Sequence, residues 1–128
     1  KWIGWIGLAM WLLGFTLEVI ADHQKHVFRA DPANADQFIT SGLWAWSRHP
    51  NYFGEILLWL GIAVAASPAL ANWQLVALIS PLVVFVLLRY VSGVAILERA
   101  AESRWGDMAS YRSYRAATSV IFPRAPRR

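Results

Sequence analysis

No charged residue occurs from Ile56 to Leu88. A helix needs about 20 apolar residues to cross a bilayer, so this uncharged run of 33 residues is too long for one span. It divides at "SPALAN", Ser67–Asn72, where Pro68 ends a helix and Asn72 is placed to cap the next. The pattern predicts a helical hairpin, Tyr52–Ala66 and then Trp73–Leu97. An earlier uncharged block, Trp2–Leu17, gives a third and shorter span, with Trp2 and Trp5 placed as interface anchors.

Composition agrees with that reading. Hydrophobic residues make up 57% of the 128, above the roughly 45–50% of soluble domains. A soluble bundle would need a polar face on each helix, and these blocks have none. The length fits one domain over residues 1–128. The absence of Cys removes disulfide frameworks and zinc–thiolate sites. The formal charge of +4 raises the question of nucleic acid. The charges cluster on either side of the apolar blocks instead of tracking a groove, which argues against that partner.

Lys25, Arg29 and Arg48 lie in the first loop. Arg99, Arg104, Arg112, Arg115, Arg124, Arg127 and Arg128 lie in the tail, and the Ser67–Asn72 turn has no cation. Positive residues favour the cytoplasmic side. The first loop and a helical C-terminal tail are therefore expected in the cytoplasm, with the short turn opposite. The chain opens on Lys and has no positive segment ahead of an apolar core. It reads as the later part of a longer protein.

Polar residues gather beside the spans. Asp22, Lys25 and Arg29 continue the first span in a helical pattern. Lys25 and Arg29, four apart, share a helix face. Two such cations fit a phosphate clamp, Arg with its bidentate fork; positive-inside anchors are the competing reading. "DPANAD" then breaks the helix, and "SGLW" turns the chain into "SRHPNYFGE", Ser47–Glu55. Pro50 suits the first turn of a helix, and Asn51 and Tyr52 bring polar groups to its start. Gly54 permits close approach of another backbone or of a ligand. Glu55 lies just inside the span, where a carboxylate needs a partner or water. The helix start offers amides to an anion, with Arg48 and His49 beside it; a plain interfacial turn is the alternative.

The tail adds Glu98, Arg104, Trp105, Tyr111 and Tyr114. The two tyrosines share a face and fit either a site or an aromatic belt. His23 and His26 are a weak metal signal without a carboxylate partner set. No Gly-x-Gly-x-x-Gly, Gly-Lys-Ser/Thr or Gly-x-Ser-x-Gly occurs, so a nucleotide site here is neither of Rossmann nor of P-loop type.

Three motifs carry a resemblance: "QKHVFR" (Gln24–Arg29), "SGLWAWSRHPNYFGE" (Ser41–Glu55) and the closing run Ser92–Pro123. Together they resemble the C-terminal half of the steroid 5-alpha-reductase and delta-14 sterol reductase superfamily, notably its bacterial members once of unknown function. The resemblance implies NADPH in a cytoplasm-facing cavity. It puts Lys25 and Arg29 on cofactor phosphates and Ile39 and Trp44 along the adenosine or pyrophosphate path. Asn51 and Tyr52 fall at the pair that contacts the cofactor, beside Arg48 and His49, whose position at the helix start suits an assisting role. Glu98, Arg104 and Tyr114 fall in the closing set, and Asp22 near the nicotinamide half. The implied activity is NADPH-dependent reduction of a carbon–carbon double bond in a steroid or other lipid enone, within membrane lipid. Family members draw their proton donor and sterol-facing residues from earlier helices, so the resemblance implies a cofactor site without a complete active site. The Arg-His-Pro core is also shared with isoprenylcysteine carboxyl methyltransferase, which uses S-adenosylmethionine. A non-catalytic membrane protein is the third reading.

Overall fold

A computed structural model describes residues 2–126. Lys1 and the tail cations Arg127 and Arg128 lie outside the described residues. α1 runs unbroken over Trp2–Ala30, joining the first apolar block to the Asp22–Arg29 segment. No Pro interrupts it until Pro32, which cannot continue a helix. At about 1.5 Å per residue its 29 residues reach about 44 Å, beyond a hydrocarbon layer of roughly 30 Å. The charged last turns therefore project past the apolar layer. Asp31 then caps a short 3₁₀ turn, Pro32–Asn34, by accepting the Ala33 amide at 2.9 Å.

α2 spans Pro50–Ala66 and returns antiparallel to α1. Gly7, Gly14 and Ala21 are buried at seven-residue intervals on α1, and Gly54 and Gly61 meet them from α2. A Cβ on Gly14 would lie 2.5 Å from the Gly54 carbonyl oxygen; one on Gly7 would lie 2.6 Å from that of Gly61. The backbones are thus in direct contact. In lipid no hydrophobic force drives apolar helices together, so close packing across small residues does that work.

The third span covers Asn72–Trp105, and it corrects the single helix Trp73–Leu97 expected from the sequence. It opens as a 3₁₀ segment, Asn72–Ile79, and becomes α3 over Ser80–Val86. A π turn, Leu87–Val91, leads to a break at Ser92–Gly93, and α4 resumes over Val94–Trp105. Gly93 has φ +39, a conformation cheap only for glycine. A Cβ there would fall 2.8 Å from the Leu88 carbonyl oxygen and 3.1 Å from the Tyr52 ring. Ser92 covers the Leu87 carbonyl with its amide at 2.8 Å and its hydroxyl at 3.1 Å. Leu97 and Glu98 therefore sit on a re-aimed helix. Asn72 is not a cap either: its φ is 54, and the Gln74 side chain accepts the Ala71 amide at 3.1 Å instead.

Leu12, Leu13 and Phe15 on α1 and Leu75, Val76 and Leu82 on the third span are exposed. Such a continuous apolar exterior is a surface solvated by lipid. Among the described residues three helices are long and apolar enough to cross a membrane, and no strand forms. The molecule is an all-α, polytopic membrane bundle.

α5, Ala109–Ala117, follows α4. Beyond it the chain crosses back over the Arg-His-Pro motif. The Arg48 amide donates to the Ser119 carbonyl at 2.8 Å and the Arg124 amide to the Trp46 carbonyl at 3.0 Å. The Ser47 hydroxyl donates to the Ile121 carbonyl at 2.7 Å. Ile121 is buried with Ile56 and Val94, which anchors the crossing. The first loop and the tail thus meet at one end of the bundle.

Candidate functional site

At that end a cleft of about 180 Å³ opens among the last turns of α1, the loop 37–49, α4 and α5. Lys25, Arg29, Ile39, Trp44, Arg48, His49, Glu98, Arg104 and Tyr114 all line it. The i, i+4 spacing of Lys25 and Arg29 puts both cations on one wall. Trp44 is held by donating its indole N–H to the Ala21 carbonyl at 3.0 Å. Its ring lies under the Lys25 ammonium, 4.9 Å from the centroid, a cation–π contact. Among the described residues neither Lys25 nor Arg29 forms an ion pair.

Arg48 is engaged. Its guanidinium pairs with the Glu98 carboxylate and its Nε donates to the Thr118 carbonyl at 3.2 Å. The π turn and Gly93 make this pairing possible by aiming α4 across the motif. His49 is buried; its Nε2 lies 3.6 Å from Glu98 Oε1, just outside hydrogen-bond range, and has no closer polar partner among the described residues. Its ring stacks on Tyr52, centroids 5.5 Å apart and planes 12° apart.

Arg104 serves the wall. It donates to the Ala35 carbonyl at 2.6 Å, reaches Asp36 at 3.4 Å and lies over the Trp105 ring. Trp105 donates its indole N–H to the Asp36 carbonyl at 2.9 Å. These contacts fasten α4 to the loop after α1. Tyr114 donates its hydroxyl to the Trp44 carbonyl at 2.6 Å. Burial pushes its phenol well above the ordinary range, so it stays protonated. Burial and then the Glu98 charge push Tyr111 upward as well.

Asp22, Asn51 and Tyr52 do not line this cleft. Asp22 is exposed on α1. Asn51 and Tyr52 belong to the first turn of α2, which faces α1 and the α3–α4 break. The Tyr52 ring fills the space left by Gly93 and backs His49. The Asn51 side-chain oxygen, Oδ1, is buried without a hydrogen-bond partner among the described residues. The helix start is also less open to an anion than its sequence implied. Pro50 has no amide, and the Tyr52 and Phe53 amides both donate to the His49 carbonyl, at 3.1 and 3.2 Å.

Residues outside the sequence reading complete the wall. Phe38 packs against Trp105, Tyr111 and Tyr114 with centroids 5.1–5.6 Å apart. Phe28 and Gln37 also line the cleft. No motif distinguishes Phe38 in the sequence, because its neighbours come from α4 and α5, over 60 residues later. Tyr111 was legible only as the partner of Tyr114 on one face.

Comparisons with known proteins agree with this architecture. The 3-oxo-5-alpha-steroid 4-dehydrogenase 1 of Mus musculus is 26% identical over 117 residues, covering 91% of this chain and 40% of that one. The Homo sapiens protein of the same name is 33% identical over 61 residues, 48% of this chain and 24% of that one. The protein-S-isoprenylcysteine O-methyltransferase of Rattus norvegicus is 31% identical over 68 residues, 49% of this chain and 24% of that one. The chain spans two fifths or less of the length of these relatives. No solved structure matches it. One family, described as "Protein of unknown function (DUF1295)", matches residues 1–118, nearly the whole sequence, and the chain belongs to that family.

Proposed function

We propose that this chain is the cofactor-holding part of a membrane reductase that uses NADPH to reduce a carbon–carbon double bond in a steroid or other lipid. The observation that carries the reading is the charge balance of the cleft. Among the described residues Lys25 and Arg29 stand on one wall without a carboxylate at ion-pair distance, beside the buried His49 Nε2, which faces Glu98 from outside hydrogen-bond range. A multiply phosphorylated ligand supplies both missing partners, anions for the cations and polar atoms for the histidine. The steroid dehydrogenase relatives support the reaction class.

The donor set fits NADPH, and the cavity size limits how much of it is held. Ligand sites commonly measure about 300–1,000 Å³, whereas this cleft is about 180 Å³. It suits one phosphate-bearing half of a dinucleotide. When bound, the cofactor supplies hydride. The chain's own residues bind and orient. Lys25 and Arg29 hold phosphate, Trp44 and Phe38 present aromatic faces, and the Arg48–Glu98 pair fixes the wall opposite. Tyr114 stays neutral and closes the cleft by its bond to the Trp44 carbonyl.

The methyltransferase relative favours a second reading, a site for S-adenosylmethionine. That molecule carries no phosphate, and its single carboxylate can neutralise one of Lys25 and Arg29 but not both. Calorimetry of the purified protein with NADPH, NADH and S-adenosylmethionine separates the two. Binding of S-adenosylmethionine without NADPH overturns the reductase assignment.

A further inference from the structure

We propose that His49 and Glu98 form a subsite for a ribose diol and so fix which way a nucleotide lies in the cleft. This rests on the reading of Lys25 and Arg29 as the phosphate end. The His49 side chain is only 8% exposed, yet among the described residues its Nε2 has no partner within hydrogen-bond distance, Glu98 Oε1 lying just outside it. A buried polar atom left open in this way calls for a group that the protein does not supply. The nitrogen lies 3.6 Å from Glu98 Oε1, and a carboxylate at that distance favours the tautomer with the proton on Nε2. His49 then offers a donor.

Glu98 offers the matching acceptor. Its Oε1 is taken by Arg48, whereas Oε2 receives only a long contact from the Tyr111 hydroxyl, 3.5 Å. Lone pairs therefore stay open beside the imidazole N–H. Adjacent hydroxyls satisfy both at once: one donates to Oε2 and its neighbour accepts from Nε2. Stacking on Tyr52 and the bond from the His49 amide to Ser47 Oγ, 3.0 Å, keep the ring in place. Cavity size decides which part of a nucleotide this is. The cations and the dyad line the same cleft of about 180 Å³, a space that suits one phosphate-bearing half of a nucleotide touching both. The carboxylate itself repels a phosphate. The phosphate is therefore held at Lys25–Arg29 and the diol at His49–Glu98.

Competition and calorimetry with inorganic phosphate, AMP, 2′-deoxy-AMP and 3′-deoxy-AMP test the assignment on the intact chain. The parent binds AMP about tenfold more tightly than either deoxy compound, the scale of one lost hydrogen bond to a charged group. His49→Phe and Glu98→Gln bring AMP and its deoxy forms to the same affinity, with phosphate binding kept. Lys25→Ala weakens all three nucleotides in parallel and keeps the preference. Equal affinity of the parent for AMP and its deoxy forms overturns the diol subsite and leaves the phosphate reading intact. Survival of the preference in His49→Phe does the same. Binding of none of these compounds by the parent overturns the phosphate reading and this inference together. The comparison on the parent needs no variant, so a poorly folding variant does not shield the proposal.

Discussion

Gly14→Ala tests whether backbone contact between α1 and α2 holds the bundle together. The added Cβ would stand 2.5 Å from the Gly54 carbonyl oxygen and 2.5 Å from the Leu58 amide nitrogen. Both are backbone atoms, so no side chain can turn aside. Ordinary contact at such atoms begins at about 3.4 Å, and the helices must therefore separate by about 1 Å at this crossing. Overpacking of this kind costs about 1–3 kcal/mol. Replacing glycine within a helix returns about 0.5–1 kcal/mol of propensity, so the net loss is about 1–2 kcal/mol. Gly4→Ala is the internal control, because nothing lies within 4 Å of its added Cβ. It keeps the propensity gain and meets no clash, so it is neutral or slightly stabilising. Thermal unfolding of both variants in the same nanodiscs reads the difference. Equal melting temperatures for the two variants would refute backbone contact as the basis of the helix pair. A second readout follows α1 toward the cleft: Gly14→Ala should loosen the Trp44–Ala21 bond and alter the fluorescence of that indole, whereas Gly4→Ala should not.

Four further outcomes are expected. Arg29→Ala weakens NADPH binding by about 1.5–3 kcal/mol, the scale of a hydrogen bond between charged groups; unchanged affinity in the Lys25→Ala, Arg29→Ala double variant would make these residues topology anchors. Arg48→Met and Glu98→Leu each destabilise by about 3 kcal/mol by stranding the partner charge, and the double variant recovers most of that loss; simple additivity in chemical denaturation would show that the pair is not coupled. Gly93→Ala destabilises by about 1–2 kcal/mol through its positive φ and the contact with Leu88, and a melting temperature like the parent's would argue against a fixed break at this residue. Cysteine substitutions at Ala69 and Ala125 are labelled from opposite sides of the membrane, the Ala125 side being cytoplasmic; labelling of both from one side removes the three-span arrangement.

Much of the architecture is written in local sequence. A bilayer demands long uncharged runs, and prolines end them, so Trp2–Leu17 and the hairpin around Ser67–Asn72 were legible without coordinates. The placement of Lys25 beside Arg29 was legible too, since helical spacing alone puts them on one wall. What stayed hidden depends on partners distant in sequence. The helix after Ser80 carries Arg89, Ser92 and Gly93, yet the Tyr52 ring packed beside Gly93 and the break that delivers Glu98 to Arg48 belong to the fold. The Gly7, Gly14 and Ala21 stripe has meaning only once Gly54 and Gly61 stand opposite it. Asn51 and Tyr52 lie in the same motif as Arg48 and His49, yet the first pair sits in the opening turn of α2, off the cleft, whereas the second precedes the helix and lines the cleft wall. Spacing along the chain fixes which residues share a face. Which face meets the cleft is decided by packing between helices, and that is a property of the assembled bundle.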